Sequence, residues 1–443
     1  MGITATHTVP APVDEVWRWH TRPGAAARLT PPFLPMKVSS QARSLAAGTT
    51  TFDLPAGQTW VARHDPEGYA EGRQFRDVVA NAPFTWATRW RHTHTFHPAG
   101  DGSTQITDSI EARVPARFLR PALAYRQSQL AADLEFLSSL PQIRPLTVAV
   151  TGSRGLVGTA LCAQLGTAGH TVVPLVRGEP GPGERHWDVD SPAPDLLSGI
   201  DAVAHLAGEP IIGRFTDARK RRIDDSRVGP TAALARCAAD NGVAAFVSAS
   251  AIGFYGPDAG DRPRTEDDSR GPGFLAGVCE RWEEAARVEG VRTVNIRTGL
   301  ALSGAGGILP VLRASARAGL GARFGRGKFH MSWIAIDDLT DIYVRALVDA
   351  SITGPVNATA PHPVTNAEMS RALARTLRRP APLPIPEAGP RILLGREAAG
   401  ELALADQWVV PGGITRFRYP TLGPALAHEL GRERPRAGAG GGL

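Results

Sequence analysis

The chain has few cysteines and no long apolar run. Cys162, Cys237 and Cys279 are odd in number and far apart among 443 residues. That excludes a disulfide framework and a zinc-knuckle spacing, and fits thiols kept reduced in a cytoplasm. No stretch of about 18 apolar residues occurs, so no membrane span is expected. Met1 to Val16 shows neither a basic n-region nor an apolar h-region, so no secretory signal is expected and a cytoplasmic location is. A strong charge bias is absent too. The formal net charge is +6, which is mild for this length. Basic residues cluster only at Arg219-Lys220-Arg221-Arg222, which a solvated helix face or an anionic cofactor nearby explains without nucleic acid. There is no internal repeat, and nothing in the pattern speaks to oligomeric state.

What is present is enough for two or three domains. Pro141-Gln142-Ile143-Arg144-Pro145 reads as a linker. Upstream, residues 1–142, the pattern is strand-like. Pro10-Ala11-Pro12 opens a short helix at Val13. From Trp86 to Phe96 the even positions Trp86, Trp90, His92, His94 and Phe96 share one strand face. Leu123, Leu130, Leu134 and Leu137 space out an amphipathic helix over 121–140. Downstream, residues 146–430, apolar strands alternate with helices. Strands are expected at 146–151, 171–177, 201–208, 244–251 and 291–302, and helices at 155–168, 216–241 and 274–290. The alternation predicts an α/β fold with a doubly wound parallel sheet. The Gly/Arg/Pro-rich segment 431–443 is expected to be a disordered tail.

The sharpest chemical signal is Thr151-Gly152-Ser153-Arg154-Gly155-Leu156-Val157-Gly158, which follows a strand and opens a helix. Gly152 suits a tight turn, Gly155 a close approach of amides to a pyrophosphate, and Gly158 close helix–strand packing. The helix N-terminus adds N–H donors and partial positive charge. The second strand ends in Arg177, and a guanidinium there suits the 2′-phosphate of NADP. Arg154 could add a second cation. The competing reading leaves Arg177 in solvent and gives the ribose to Glu179, as NAD would require.

The Thr-Gly-x-x-Gly-x-x-Gly spacing resembles that of the extended short-chain dehydrogenase/reductases. His205-Leu206-Ala207-Gly208 resembles their strand end beside the cofactor ribose. Ser248-Ala249-Ser250-Ala251-Ile252-Gly253-Phe254-Tyr255-Gly256 resembles the segment carrying the catalytic Ser or Thr. Ser332 to Asp338 resembles the segment closing the substrate side. Glu209-Pro210-Ile211, Ser226-Arg227-Val228, Val278 to Glu283, Asn357 to Pro361 and the region Leu394 to Pro420 are similar to the uncharacterised NAD-dependent epimerase branch. The resemblance implies a Rossmann-type domain that binds NADP rather than NAD. The cofactor would be held by Gly152, Ser153, Arg154, Gly155, Leu156, Val157, Arg177, Asp188, Leu206, Ala207, Gly208, Glu209, Ser248 and Arg227. Asp188 takes the place that meets the adenine amino group, or is a plain turn aspartate.

One departure matters. Such enzymes place Tyr-x-x-x-Lys on the helix after the serine strand, where the lysine and cofactor lower the phenol's pKa. Here Phe274 to Cys279 contains neither residue. Ser250 and Tyr255 are the remaining candidates for catalysis, unless Ser250 merely satisfies backbone and Tyr255 packs under its loop. Glu209 could act as a carboxylate base, and Cys279 reads as a buried thiol rather than a nucleophile. The upstream domain resembles the START-like, helix-grip proteins related to polyketide cyclases, on its Pro-Ala-Pro-x-x-x-Val-Trp opening, its strands and its closing helix. The resemblance implies an apolar ligand. His92 and His94 would line its cavity or lie at the surface, and with no third ligand evident no metal site is expected. Three functions follow as expectations: an NADP-dependent oxidoreductase acting on an apolar small molecule, a non-catalytic NADP(H) sensor or carrier, or cyclase/dehydratase chemistry in the upstream domain.

Overall fold

A computed structural model describes residues 2–380 and 383–433, without the side chains of 320–322; most of the expected tail, 434–443, lies outside the described residues. The chain divides into two compact units. The first comprises the chain up to Leu140, with Ala163–Gly169 and the described residues from Ala427; the second comprises Pro141–Cys162 and His170–Leu426. No described helix is long and apolar enough to cross a membrane.

The first unit is built on a seven-stranded antiparallel sheet. Its strands are β1 (Gly2–Val9), β2 (Lys37–Ser40), β3 (Thr49–Asp53), β4 (Thr59–His64), β5 (Gln74–Val79), β6 (Arg91–Pro98) and β7 (Thr104–Glu111), in the order β1-β7-β6-β5-β4-β3-β2. Helices α1 (Val13–Thr21), α2 (Ala25–Arg28), α3 (Phe84–Thr88) and α4 (Ala116–Ser138) complete it. The period of two puts His92, His94 and Phe96 of β6, and Ile106, Asp108 and Ile110 of β7, on the buried face. Val16, Trp17, Trp19, Phe75, Phe96, Ile106, Leu130 and Leu134 form the core there.

Two expectations for this unit need correction. The strand expected from Trp86 begins only at Arg91, because Trp86 lies in α3 and is 66% exposed. Arg89 ends that helix in the left-handed region, at φ +47°, so no extended run can pass through it. The closing helix begins at Ala116 rather than at Pro121. A proline near the first turn removes one bond, to the carbonyl four residues back, and the helix tolerates it. On α4, Asp133 accepts from Arg28 Nε at 2.9 Å and from Gln129 Nε2 at 3.0 Å, all three residues being buried.

The second unit is a seven-stranded parallel sheet. Its strands are β8 (Thr147–Thr151), β9 (Thr171–Val176), β10 (Arg185–His186), β11 (Ala202–His205), β12 (Ala245–Ala251), β13 (Arg292–Thr298) and an edge strand, Gly354–Ala358. The order is β10-β9-β8-β11-β12-β13 and then the edge strand. The order reverses between β8 and β11, the switch point at which doubly wound sheets bind ligands. Helix α5 (Leu156–Ala168) follows β8, α6 (Asp217–Asp225) and α7 (Val228–Asp240) follow β11, and α8 (Phe274–Ala285) follows β12. The single helix expected over 216–241 is therefore two. Pro230 has no N–H to give to the carbonyl of Ser226, and the chain breaks at Ser226-Arg227. The strand expected over 291–302 also divides, into β13 and Leu300–Ser303, at Gly299. A Cβ on Gly299 would stand 2.6 Å from the Ser332 carbonyl oxygen, so that turn admits only glycine.

The buried pair sets a test. Asp133→Ala removes the acceptor of Arg28 Nε and Gln129 Nε2 and should cost about 3–5 kcal/mol of stability, whereas the double replacement Arg28→Met, Asp133→Leu should recover part of it. Urea unfolding followed by tryptophan fluorescence measures both; equal losses in the single and double variants would contradict the assignment.

Candidate functional site

At the C-terminal end of β8 the glycines meet the demands of a dinucleotide loop. Gly152 has φ +64°, and a Cβ on it would stand 2.9 Å from the Leu206 carbonyl. The Gly155 amide donates to the Gly152 carbonyl at 2.9 Å. A Cβ on Gly158 would stand 2.2 Å from the same oxygen, so nothing larger than glycine fits there. Ser153, Leu156 and Val157 are half-buried around the loop. The first-turn amides of α5 have no intrahelical acceptor and are available to an anion.

The loop is held from behind by Thr151. Its hydroxyl accepts the Leu206 amide at 3.0 Å and the Ala207 amide at 3.1 Å. With both lone pairs used, its proton goes to His205 Nδ1, 2.9 Å away. His205 therefore carries its own proton on Nε2 and donates it to the Thr231 hydroxyl at 2.9 Å. Burial, aided by the charge of Arg227, pushes the His205 pKa down to about 3. The sequence reading did not single out this residue's role. A histidine among the apolar residues of a buried strand was the available signal.

The remaining cofactor-side residues fall into two groups. Toward solvent stand Arg177, exposed at the end of β9, and Arg154, whose guanidinium meets Glu184 at 2.9 and 3.1 Å. Asp188 is exposed, and its carboxylate accepts the amides of Asp190 and Ser191 at 3.0 and 3.1 Å. These two bonds hold it below the usual carboxylate range. Inward stand Glu209 and Arg227. Glu209 meets Arg219 Nη1 at 2.7 Å, which places one residue of the basic cluster in this site. Arg227 donates to the carbonyls of Glu209 and Ile223 at 2.9 and 3.1 Å and lies over the Trp282 ring at 4.9 Å. A Cβ on Gly208 would come within 3.1 Å of that guanidinium.

The candidate catalytic hydroxyls both point into a buried network. Ser248 donates to the Ala249 carbonyl at 3.2 Å. Ser250 donates to Glu283 Oε1 at 2.7 Å. Glu283 is paired bidentately with Arg297, Nε and Nη2 each at 2.8 Å. Arg297 Nη1 donates to the Tyr255 oxygen at 2.8 Å, and Tyr255 donates to Asn357 Oδ1 at 2.8 Å. The Arg297 guanidinium also lies 3.5 Å over the Phe254 ring. Burial raises the Tyr255 pKa above its ordinary value against the pull of Arg297. Each of the two hydroxyls already donates its proton to a side-chain acceptor, Ser250 to Glu283 and Tyr255 to Asn357. Glu283, Arg297 and Asn357 had no role assigned from the sequence, where nothing sets Glu283 apart from Glu280, Arg281 and Glu284 on the same helix. From α8, Leu275 and Cys279 approach Gly253, at 3.6 and 4.0 Å from where its Cβ would be. The Cys279 thiol is pushed up to about 12 by burial, in keeping with a structural cysteine.

The first unit encloses a cavity of about 430 Å³. Leu29, Leu45, Phe52 and Leu123 line it with apolar groups, and His92, His94 and Asp77 line it with polar ones.

Comparison with known proteins agrees with this geometry. Residues 148–358 match the NAD dependent epimerase/dehydratase family, and residues 385–429 match a domain of unknown function (DUF1731). An epimerase family protein of Mycobacterium tuberculosis is 42% identical over 64% of this chain and 98% of its own length. The human epimerase family protein SDR39U1, solved with NADPH, is 31% identical over 64% of this chain and 99% of its own, with a TM-score of 0.59. A nucleoside-diphosphate sugar epimerase from Corynebacterium glutamicum is 50% identical over 98% of this chain and 91% of its own, with a TM-score of 0.87.

The His205 relay gives a pH test. Its folded pKa lies below its unfolded value, so its contribution is fully present above about pH 6.5 and is lost as pH falls toward 3, at about 1.4 kcal/mol per pH unit. Unfolding free energies of wild type and His205→Gln between pH 7 and 4 should converge as pH falls; curves that stay parallel would contradict the neutral relay.

Proposed function

This chain belongs to the NAD-dependent epimerase/dehydratase family, and from that premise we propose that it binds NADP(H) at the switch point of its parallel sheet. The observation that carries the reading is the glycine loop, in which Gly152 and Gly158 sit where any side chain would collide with the backbone and Gly155 lies exposed between them. In this reading the pyrophosphate lies on the amides of Leu156 and Val157, close against the bare backbone of Gly155, and the loop residues Ser153 and Arg154 flank it. Arg177, exposed and beyond the last strand residue, takes the 2′-phosphate, and Arg154 joins it by exchanging Glu184 for the phosphate. Leu206, Ala207, Gly208 and Glu209 border the ribose, with Arg227 and Ser248 behind them, and Asp188 takes the adenine amino group. The NADPH in the human relative supports the choice of NADP over NAD.

The chemistry that follows is hydride exchange between the nicotinamide and a carbonyl or alkene of an apolar small molecule, close to Ser250 and Tyr255. Epimerisation of a carbinol centre by hydride out and back would need a group that takes and returns a hydroxyl proton. Helix α8 supplies neither the tyrosine nor the lysine for that role, so the activity named for the Corynebacterium neighbour is not carried over. A specific observation favours a second reading. Ser250 and Tyr255 both donate inward, as they would in an NADP(H)-holding sensor without turnover. For the first unit we propose a helix-grip ligand domain. The seven-stranded antiparallel sheet, the 23-residue α4 and the largely apolar cavity support it.

Fluorescence titration should show tighter binding of NADPH than of NADH, and Arg177→Ala should weaken NADPH by about 5–150-fold while leaving NADH unchanged. Equal affinities in the wild type would overturn the NADP assignment. NADPH consumption on a panel of apolar aldehydes, quinones and enones, by wild type, Ser250→Ala and Tyr255→Phe, separates the two functional readings. Turnover lost in both variants supports the reductase. No turnover beside tight NADPH binding supports the sensor.

A further inference from the structure

The polar wall of the cavity in the first unit is arranged by strand register. Asp77 of β5 lies directly across from His92 of β6, and His94 of β6 directly across from Asp108 of β7. His92 and His94 are two residues apart on one face, with ring centroids 3.9 Å apart. Asp108 lies behind them and takes one nitrogen of each: His92 Nε2 at 3.1 Å and His94 Nδ1 at 2.7 Å from the same Oδ1. A carboxylate oxygen accepts, so each ring turns an N–H toward Asp108 Oδ1. That leaves His92 Nδ1 and His94 Nε2 as the nitrogens turned away from Asp108.

The other sides of the two rings converge on Asp77. His92 Nδ1 is 3.7 Å and His94 Nε2 is 3.9 Å from Asp77 Oδ2, distances too long for hydrogen bonds. All three ligand atoms lie within 4.8 Å of one another. Two imidazole nitrogens and a carboxylate oxygen brought this close without a hydrogen bond to the carboxylate form a ligand set for a cation. A metal held at about 2.0–2.2 Å by each would set them about 3.4 Å apart, so Asp77 Oδ2 would approach the two nitrogens by a few tenths of an ångström. Asp77 is already oriented, since its other oxygen accepts Trp90 Nε1 at 3.2 Å.

We propose that Asp77, His92 and His94 form a mononuclear site for a zinc-type divalent transition metal, with Asp108 fixing both imidazoles from behind and one coordination position open to the cavity. Two imidazoles and one carboxylate with a vacant position form a set suited to a metal that meets a ligand rather than one that only braces the fold. A carboxylate that receives the far N–H of each ligating imidazole supplies the outer-shell support such sites carry. The site rests on the geometry of the first unit and not on the nucleotide reading.

The test uses the full chain, stripped with EDTA and titrated with Co²⁺ and with Zn²⁺. We expect one metal per chain and a visible Co²⁺ absorption of four- or five-coordinate type without thiolate charge transfer, since the three cysteines all lie beyond residue 160. His94→Ala and Asp77→Asn should abolish it, and Asp108→Asn should keep the stoichiometry with affinity weakened about 10–100-fold. Near-ultraviolet circular dichroism and a urea transition like those of the wild type, both read by the first unit's own tryptophans, among them Trp17, Trp19, Trp60 and Trp90, show that the variants are folded. Absence of stoichiometric binding, binding unchanged in Asp77→Asn and His94→Ala, or a thiolate–cobalt spectrum would each overturn the assignment.

Discussion

The hydroxyl of Thr151 is the hinge of the nucleotide-binding half. It has two lone pairs and one proton, and all three are used: by the amides of Leu206 and Ala207 and by His205 Nδ1. Through them β8 is tied to the chain leaving β11, and through His205 Nε2 the tie reaches Thr231 on α7. The glycine loop can then be bare backbone without being slack, because its position is dictated from behind. The relay also fixes charge. An imidazolium at position 205 would aim a second N–H at an oxygen with no lone pair left, so the residue stays neutral and adds nothing to the potential at the loop. That potential is left to the α5 N-terminus and the arginines.

The arginines of the second unit divide by depth. Arg177 and Arg154 stand at the rim, where a charge is cheap to hold and free to change partners. Arg227 and Arg297 are inside and each is tied by short bonds to carbonyls or carboxylates, with Arg219 half-buried between the two groups. A buried guanidinium is tolerated only when its donors are met, and bidentate pairing with Glu283 meets those of Arg297. The consequence reaches the candidate chemistry, because the same network absorbs the protons of Ser250 and Tyr255. The rim arginines can answer a ligand, whereas the inner ones answer only the fold.

Much of this architecture was legible in the residues. The glycine spacing required a strand before it and a helix after it, and alternating apolar runs required a parallel sheet. What was not legible depended on partners distant in sequence or on single residues breaking a periodicity. Trp86 fits the period of β6, but Arg89 in the left-handed region separates them. The apolar spacing runs through Ser226-Arg227, but the N–H missing at Pro230 divides the helix. Ser250 and Tyr255 were found by position, and their partners were not, because Glu283, Arg297 and Asn357 meet only when α8, β13 and the edge strand stack. The His92–His94 pair was visible as two residues on one face. Asp77 was not, since its place opposite His92 is a matter of β5–β6 register, which a sequence does not state.

The two units therefore handle polar chemistry in opposite ways. In the second unit the hydroxyls of Ser250 and Tyr255 are donors whose acceptors are already in place. In the cavity of the first unit one nitrogen each of His92 and His94 faces the Asp77 carboxylate at 3.7 and 3.9 Å, too far for a hydrogen bond. Burial raises the phenol of Tyr255 and so keeps its proton in place. A chain with the epimerase-family frame and no Tyr-x-x-x-Lys thus gathers two imidazoles and a carboxylate on one cavity wall in the domain that the family frame does not define.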